Sequence, residues 1–151
     1  MSTKVEKQIL VNVPVSTVYN QWTQFEDFPQ FMEGVERVTQ IDDTHLHWVA
    51  EIAGAHREWS AEIFCQQPDQ RVAWRSTTGV ANAGEVTFEP LGADTTRVIL
   101  RLDYEPDGAV EKAGEVLGLV GNQAETDLVR FKEFIESRGA ETGAWRGEVG
   151  P

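Results

Sequence analysis

Apolar and polar positions alternate with a period of two along most of this chain, then switch to intervals of three and four near its end. From Gly108 to Arg138, Ala113, Leu117, Val120, Ala124, Leu128, Phe131 and Ile135 recur at the spacing of one helical face. Glu111, Lys112, Glu115, Gln123, Asp127, Arg130, Lys132 and Glu136 fall between them and read as the opposite, polar face. The pattern predicts a long amphipathic helix whose apolar stripe lies against another layer. Gly114, Gly118 and Gly121 interrupt it, each costing about 1 kcal/mol relative to alanine in a helix interior. Asn122-Gln123-Ala124-Glu125 has the form of a helix start. Two segments are therefore expected, Ala109 to Leu119 and Gln123 to Arg138, broken near Gly121, with Asp107 capping the first and Gly139 ending the second. The glycines either let the helix pass close to a strand or leave room for a ligand.

Upstream, Val5, Lys7, Ile9, Val11 and Val13 form one alternating set and predict an opening strand, closed by Pro14. Val18, Tyr19 and Trp22 give Ser16 to Thr23 a helical spacing, and a second short helical piece is expected over Glu26 to Met32. Phe25, Phe28, Phe31 and Met32 in that piece either plug one end of a sheet or border a pocket mouth. From Val35 the period is two again, with strands predicted over Val35–Ile41, Leu46–Ile52, Arg57–Cys65, Arg71–Ser76, Gly84–Phe88 and Thr96–Tyr104. The links between them are short turn sequences such as Asp42-Asp43, Ala53-Gly54 and Pro68-Asp69, which favour antiparallel neighbours. The order is strand, two short helices, six strands and a long helix. It predicts an α+β fold, a sheet with one face to water and the other curled around the helix.

Composition narrows the picture only in places. The 151 residues suit one domain, expected over 1–138, followed by a glycine-rich and flexible tail over 139–151 in which Trp145 alone suggests docking. A net charge of −12 argues against nucleic acid or an anionic membrane as the main partner. No apolar run approaches the roughly 20 residues of a membrane span. The opening Met1-Ser2-Thr3-Lys4 has no signal-like apolar core, so a cytoplasmic protein without integral membrane contact is expected. Cys65 is the only cysteine and falls in an apolar alternation, which reads as a buried inert thiol.

Several stretches carry a family resemblance. They are Ile9-Leu10-Val11-Asn12-Val13-Pro14-Val15-Ser16-Thr17-Val18-Tyr19, Phe25-Glu26-Asp27-Phe28-Pro29-Gln30-Phe31-Met32, Gln70-Arg71-Val72-Ala73-Trp74-Arg75-Ser76, Gly84-Glu85-Val86-Thr87-Phe88-Glu89-Pro90-Leu91 and Tyr104-Glu105-Pro106. With these, Lys4 to Arg138 resembles the START-related, Bet v 1-like (SRPBCC) domains, in particular the bacterial polyketide cyclase/dehydrase and lipid-transport family. The resemblance implies a helix-grip fold, a seven-stranded antiparallel sheet wrapped around the last helix, enclosing a cavity for an apolar molecule. The family includes aromatase/cyclases, and also relatives that act on the ribosome or bind coenzyme Q.

Strand alternation offers a set of residues for such a cavity. Trp48 shares a face with Ala50, and Trp59 with Arg57, Ala61, Ile63 and Cys65; Trp74, Phe88, Leu102 and Tyr104 join them from the later strands. Leu117, Gly121, Ala124 and Leu128 would face them from the helix. These side chains either close into a solid core or, because Ala50, Ala61, Gly84 and the helix glycines are small, leave space for a ligand. Arg57 and Tyr104 are the polar groups that could polarise a bound carbonyl, although Arg57 could equally reach the rim. No catalytic constellation stands out, no metal ligand set is expected and no cofactor is implied. His45 and His47 share a face opposite Trp48, toward solvent, while His56-Arg57-Glu58 alternates faces. Three functions fit: a binding or carrier protein for a lipid, quinone or polyketide-like molecule, a cyclase or dehydratase, or a domain acting through a protein partner.

Overall fold

The computed structural model describes residues 3–52, 55–79, 82–104 and 113–149. Strand β1 (Thr3–Val11) is followed by helix α1 (Val15–Trp22) and a short 3-10 helix (Phe25–Gln30) that contains Pro29. Six strands come next: β2 (Val35–Gln40), β3 (His45–Ile52), β4 (Ala55–Gln67), β5 (Arg71–Gly79), β6 (Asn82–Pro90) and β7 (Thr96–Tyr104). Helix α2 (Ala113–Arg138) closes the domain. The sheet order is β1-β7-β6-β5-β4-β3-β2, antiparallel throughout. Every neighbouring pair except β1–β7 is consecutive in sequence, as the short turns require. This is the helix-grip arrangement.

Helix α2 is continuous through Gly121, against the expected break. A Cβ built at Gly121 would lie 3.6 Å from Lys7 Cε and 3.8 Å from Val5 Cγ1, so this turn of the helix passes close to β1 without distortion. The expected cap Asp107, residues 109–112 and the Ala53-Gly54 turn lie outside the described residues. Ala124, Leu128, Phe131 and Ile135 are buried, as the stripe requires, and the helix ends at Gly139, whose N–H reaches Ile135 O at 2.9 Å.

The core is densest where α1, the 3-10 helix and the C-terminal half of α2 meet. Trp22 packs on Phe28 and Phe131 with ring centroids 5.2 and 5.3 Å apart, and Phe31 on Phe131 at 5.1 Å. The chain beyond α2, expected to be flexible, runs back over this end. Thr142 donates to Gln21 from its backbone amide's side and to Asp27 from its hydroxyl, the Trp145 amide donates to Thr23 Oγ1, and Val149 pairs with Gln66 through two 2.9 Å backbone bonds. Arg146 donates to Asn20 Oδ1 and Asp69 Oδ2 at 2.6 and 2.8 Å and lies over the Tyr19 ring.

Three register shifts interrupt the regular pairing of the sheet. The β4–β5 register shifts between Ile63 and Cys65, leaving Phe64 unpaired and exposed beneath Arg75. Past that point, Cys65 pairs with Ala73, which alternates away from the core residue Val72, while Gln66 pairs with Val72 and is 1% exposed. Cys65 is buried as expected but leaves the face that Trp59 and Ile63 share, because the extra residue inverts the alternation. A second shift in the same pair, between Ser60 and Ala61, passes over Thr77 of β5, and a third, between Val35 and Arg37, sits at Glu36.

Candidate functional site

Between the sheet and the N-terminal half of α2 the interior is not filled. A cavity of about 780 Å³ opens there. Its walls come from Trp48 and Ala50 on β3, Trp59 on β4, Trp74 on β5, and Leu100 and Leu102 on β7. Trp22, Phe28 and Met32 close one end, and Val120, Gln123, Ala124 and Asp127 form the helical side. The space exists because Trp48 and Trp59, directly opposed in the β3–β4 ladder, stack with centroids 5.8 Å apart at 6° rather than spreading across the interior. Trp74 lies flat over Gly84 on the neighbouring strand, close enough that any Cβ there would stand 2.3 Å from Trp74 Cζ2.

Six of the expected ligand contacts, Trp48, Ala50, Trp59, Trp74, Leu102 and Ala124, thus come together around one space. Five do not reach it. Ala61 and Leu128 are core residues, Phe88 packs edge-on against Tyr19 at 5.5 Å, and Gly121 faces β1. Arg57 stands opposite Ala50 in the ladder but outside the lining, with its Nε buried and unpartnered. The side chains of Tyr104 and Leu117 lie outside the described residues. The indole N–H groups of Trp22, Trp48 and Trp59 are also buried without a hydrogen-bond partner.

The polar chemistry sits where the sequence pattern assigned a solvated helix face. Asp127 follows Val120 by seven residues, two helical turns, and so shares its side of α2. Gln123 Nε2 donates to Asp127 Oδ1 at 2.7 Å. Burial pushes the Asp127 carboxyl up to about 6, against the opposing effects of the Gln123 bond, the Glu33 amide and the Arg130 charge. Glu33, Glu36, Glu51 and Asp103 also border the opening, but strand alternation turns the Glu51 and Asp103 side chains away from Ala50 and Leu102, toward the outer face of the sheet, where Glu36 meets His56. A carboxyl that titrates near neutrality beside an apolar space can hold or release a proton there.

Outside the cavity the histidines are held by carboxylates on the outer sheet face. His47 Nε2 lies 3.1 Å from Glu58 Oε1, and His56 Nδ1 lies 3.3 Å from Glu36 Oε2. Among the described residues no group of three metal-ligating side chains converges, and no helix is long and apolar enough to cross a membrane.

Residues 11–133 match the family described as polyketide cyclase / dehydrase and lipid transport. The chain belongs to this family. It is 57% identical over 147 residues to an uncharacterized 17.2 kDa protein of Streptomyces lincolnensis, covering 97% of this chain and 98% of that one. The Deinococcus radiodurans protein DR_A0006 is a structural relative at TM-score 0.70 and 30% identity, covering 91% of this chain and 99% of its own. The aromatase/cyclase Zhui of Streptomyces sp. R1128 superimposes with TM-score 0.78 over 96% of this chain and 100% of its own, at 17% identity, a likeness of fold. Membership in the polyketide cyclase/dehydrase and lipid-transport family supports hydrophobic-ligand binding or cyclase-type function, and the cavity lies inside the matched span.

Proposed function

We propose that this protein is a cytoplasmic binding or carrier protein that takes up an apolar small molecule, of lipid, quinone or polyketide-like character, in the space between the sheet and α2. The observation that carries the reading is the cavity itself. Its volume of about 780 Å³ falls within the range of small-molecule sites, and its apolar walls with few polar groups match their usual chemistry. Trp48, Ala50, Trp59, Trp74, Leu102 and Ala124 are the side chains proposed to touch the ligand. Trp22, Trp48 and Trp59 each carry an N–H without a partner, a deficit that an occupant bearing carbonyl oxygens would relieve after a small ring rotation. Native mass spectrometry of gently purified protein, followed by extraction, tests this. A stoichiometric apolar adduct is expected. Protein that arrives empty and takes up no member of a lipid, quinone and polyphenol panel would refute it.

A second reading, a cyclase or dehydratase, is favoured by Asp127. Its carboxyl, pushed up to about 6 beside the cavity, has the acid–base character needed to move a proton at a β-keto carbon. Holding two reactive carbons together in the cavity would supply much of the remaining acceleration. Loss of turnover in Asp127→Asn with ligand uptake retained would support this role.

A further inference from the structure

Of the five carboxylates among the described residues around the cavity, one has its side chain on the inward side of its element. Asp127 continues the stripe of Val120 and Ala124 along α2. Glu51 and Asp103 occupy the outward-facing positions beside Ala50 and Leu102. Glu36 meets His56 at 3.3 Å, and the exposed Glu33 pairs with Arg130 at 3.2 Å. Asp127 is half-buried and accepts hydrogen bonds from Gln123 Nε2, at 2.7 Å, and from the Glu33 amide. The charged groups that act on it are Arg130 on its own helix and Glu33 from the segment before β2. From the strands, the lining has Trp48, Ala50, Trp59, Trp74, Leu100 and Leu102, none of which titrates. Arg57 stands on the inner face of β4, outside the lining.

We propose that Asp127 couples the uptake of an apolar molecule to the uptake of a proton: the cavity fills with this carboxyl neutral, and rising pH drives the occupant out. The inference rests on the reading of the cavity as a ligand site and adds how that site is regulated. A space of this size with a polar edge admits water when it holds nothing else, and that water solvates the carboxylate. An apolar occupant replaces it with hydrocarbon, which disfavours the ionised form and leaves the neutral form almost untouched. The empty protein already lies part-way there, since burial holds the Asp127 carboxyl at about 6. Occupancy raises it further, so the filled protein binds more protons than the empty one over the interval between the two values. Affinity is therefore full below about pH 6, falls through that interval and levels off above it. Each pH unit by which occupancy raises the carboxyl lowers the final affinity about tenfold.

Diphenylhexatriene, which has no ionisable or hydrogen-bonding group and brightens in apolar surroundings, tests this on the full chain. Its dissociation constant, from fluorescence titrations between pH 5 and pH 9, should stay level up to about pH 6 and rise about tenfold by pH 8. In Asp127→Asn the profile should be flat, although that variant keeps His45, His47 and His56 on the outer sheet face. Gln123→Leu, which takes a donor away from the carboxylate, should move the onset to higher pH. A level constant throughout in the native chain, a slope that survives in Asp127→Asn, or an onset that Gln123→Leu leaves in place would overturn the coupling while leaving the ligand site standing. Failure of the native chain to take up the probe at any pH would remove the cavity reading itself, and the coupling with it.

Discussion

Placing a methyl group on Gly84 tests how the cavity wall is built. The new Cβ would lie 2.3 Å from Trp74 Cζ2, 2.6 Å from Cε2 and 2.9 Å from Cη2. Non-bonded carbons rest at about 3.5–4.0 Å, so the indole has to retreat by about 1.2 Å or more. β6 backs it on one side, and the cavity is the open direction. Gly84→Ala should therefore lower stability by about 1–3 kcal/mol, the usual cost of overpacking. It should also tighten the space available to a ligand. Urea denaturation and a ligand titration measure the two effects separately. The decisive control is the same substitution in a Trp74→Ala background. With the ring gone nothing opposes the methyl group, and alanine is favoured over glycine in a strand by about 0.5–1 kcal/mol. The sign of the substitution should then reverse, a coupling of about 2 kcal/mol. An equal loss in both backgrounds would show that the strand, not the indole, needs the glycine, and would refute this account of the wall.

Four further outcomes are expected. Gly121→Ala should stabilise the protein by about 0.5–1 kcal/mol in thermal or urea denaturation, because the added Cβ meets only ordinary contacts at 3.6 and 3.8 Å; a loss would mean that the helix needs a break there. Asp127→Asn should change the pH profile of stability. The folded carboxyl at about 6 holds a proton that the unfolded one, at 3.8, has released, so stability falls as pH rises from about 4 to about 6, and the asparagine variant should be about 3 kcal/mol the more stable at pH 8 with no gain at pH 3.5. Phe131→Ala empties a 0% exposed site against Trp22 and Phe31 and should cost about 3–5 kcal/mol in urea denaturation. Arg146→Ala should cost about 1–2 kcal/mol in thermal or urea denaturation, since its bonds to Asn20 and Asp69 hold the C-terminal segment over α1; unchanged stability and unchanged protease resistance of that segment would argue that its docking contributes nothing.

The fold was legible because its strands are long enough for the period to show. β7 spans Thr96–Tyr104 as its alternation predicts, and Trp48 and Trp59 face each other as parity requires. Where a bulge adds a residue, parity fails. Phe64 breaks the count in β4, so Cys65 and Gln66 exchange sides, and no single-strand pattern marks an extra residue as unpaired. The contacts of the chain after α2 were not legible for a different reason. Its glycines remove any periodicity, yet it is held by bonds from Thr142, Trp145, Arg146 and Val149 to residues more than 75 positions away, which local composition does not encode. Trp22 and Phe28 illustrate the same limit in the cavity. Their helical spacing shows that they are buried, while the fact that they end the cavity depends on how α1 and the 3-10 helix cap the sheet.

Asp127 is the instructive case, because the signal was present and the polarity concealed it. Val120, Ala124 and Asp127 stand at i, i+4 and i+7, the spacing of one face, so a carboxylate continues a stripe that is otherwise apolar. An amphipathic helix packed on a solid core has no use for a charge in that place, since burying it disfavours the ionised form. The substitution of polar for apolar is tolerable only where the stripe runs out over space rather than over side chains. In this protein α2 meets both situations. Its second half, from Leu128 to Ile135, is pressed into the aromatic cluster and is strictly apolar on that side, while its first described turns, from Val120 to Asp127, face the cavity. The change of residue type along one helical face therefore marks the boundary between packed core and open interior. It places the single carboxyl raised toward neutrality among the described residues at that boundary.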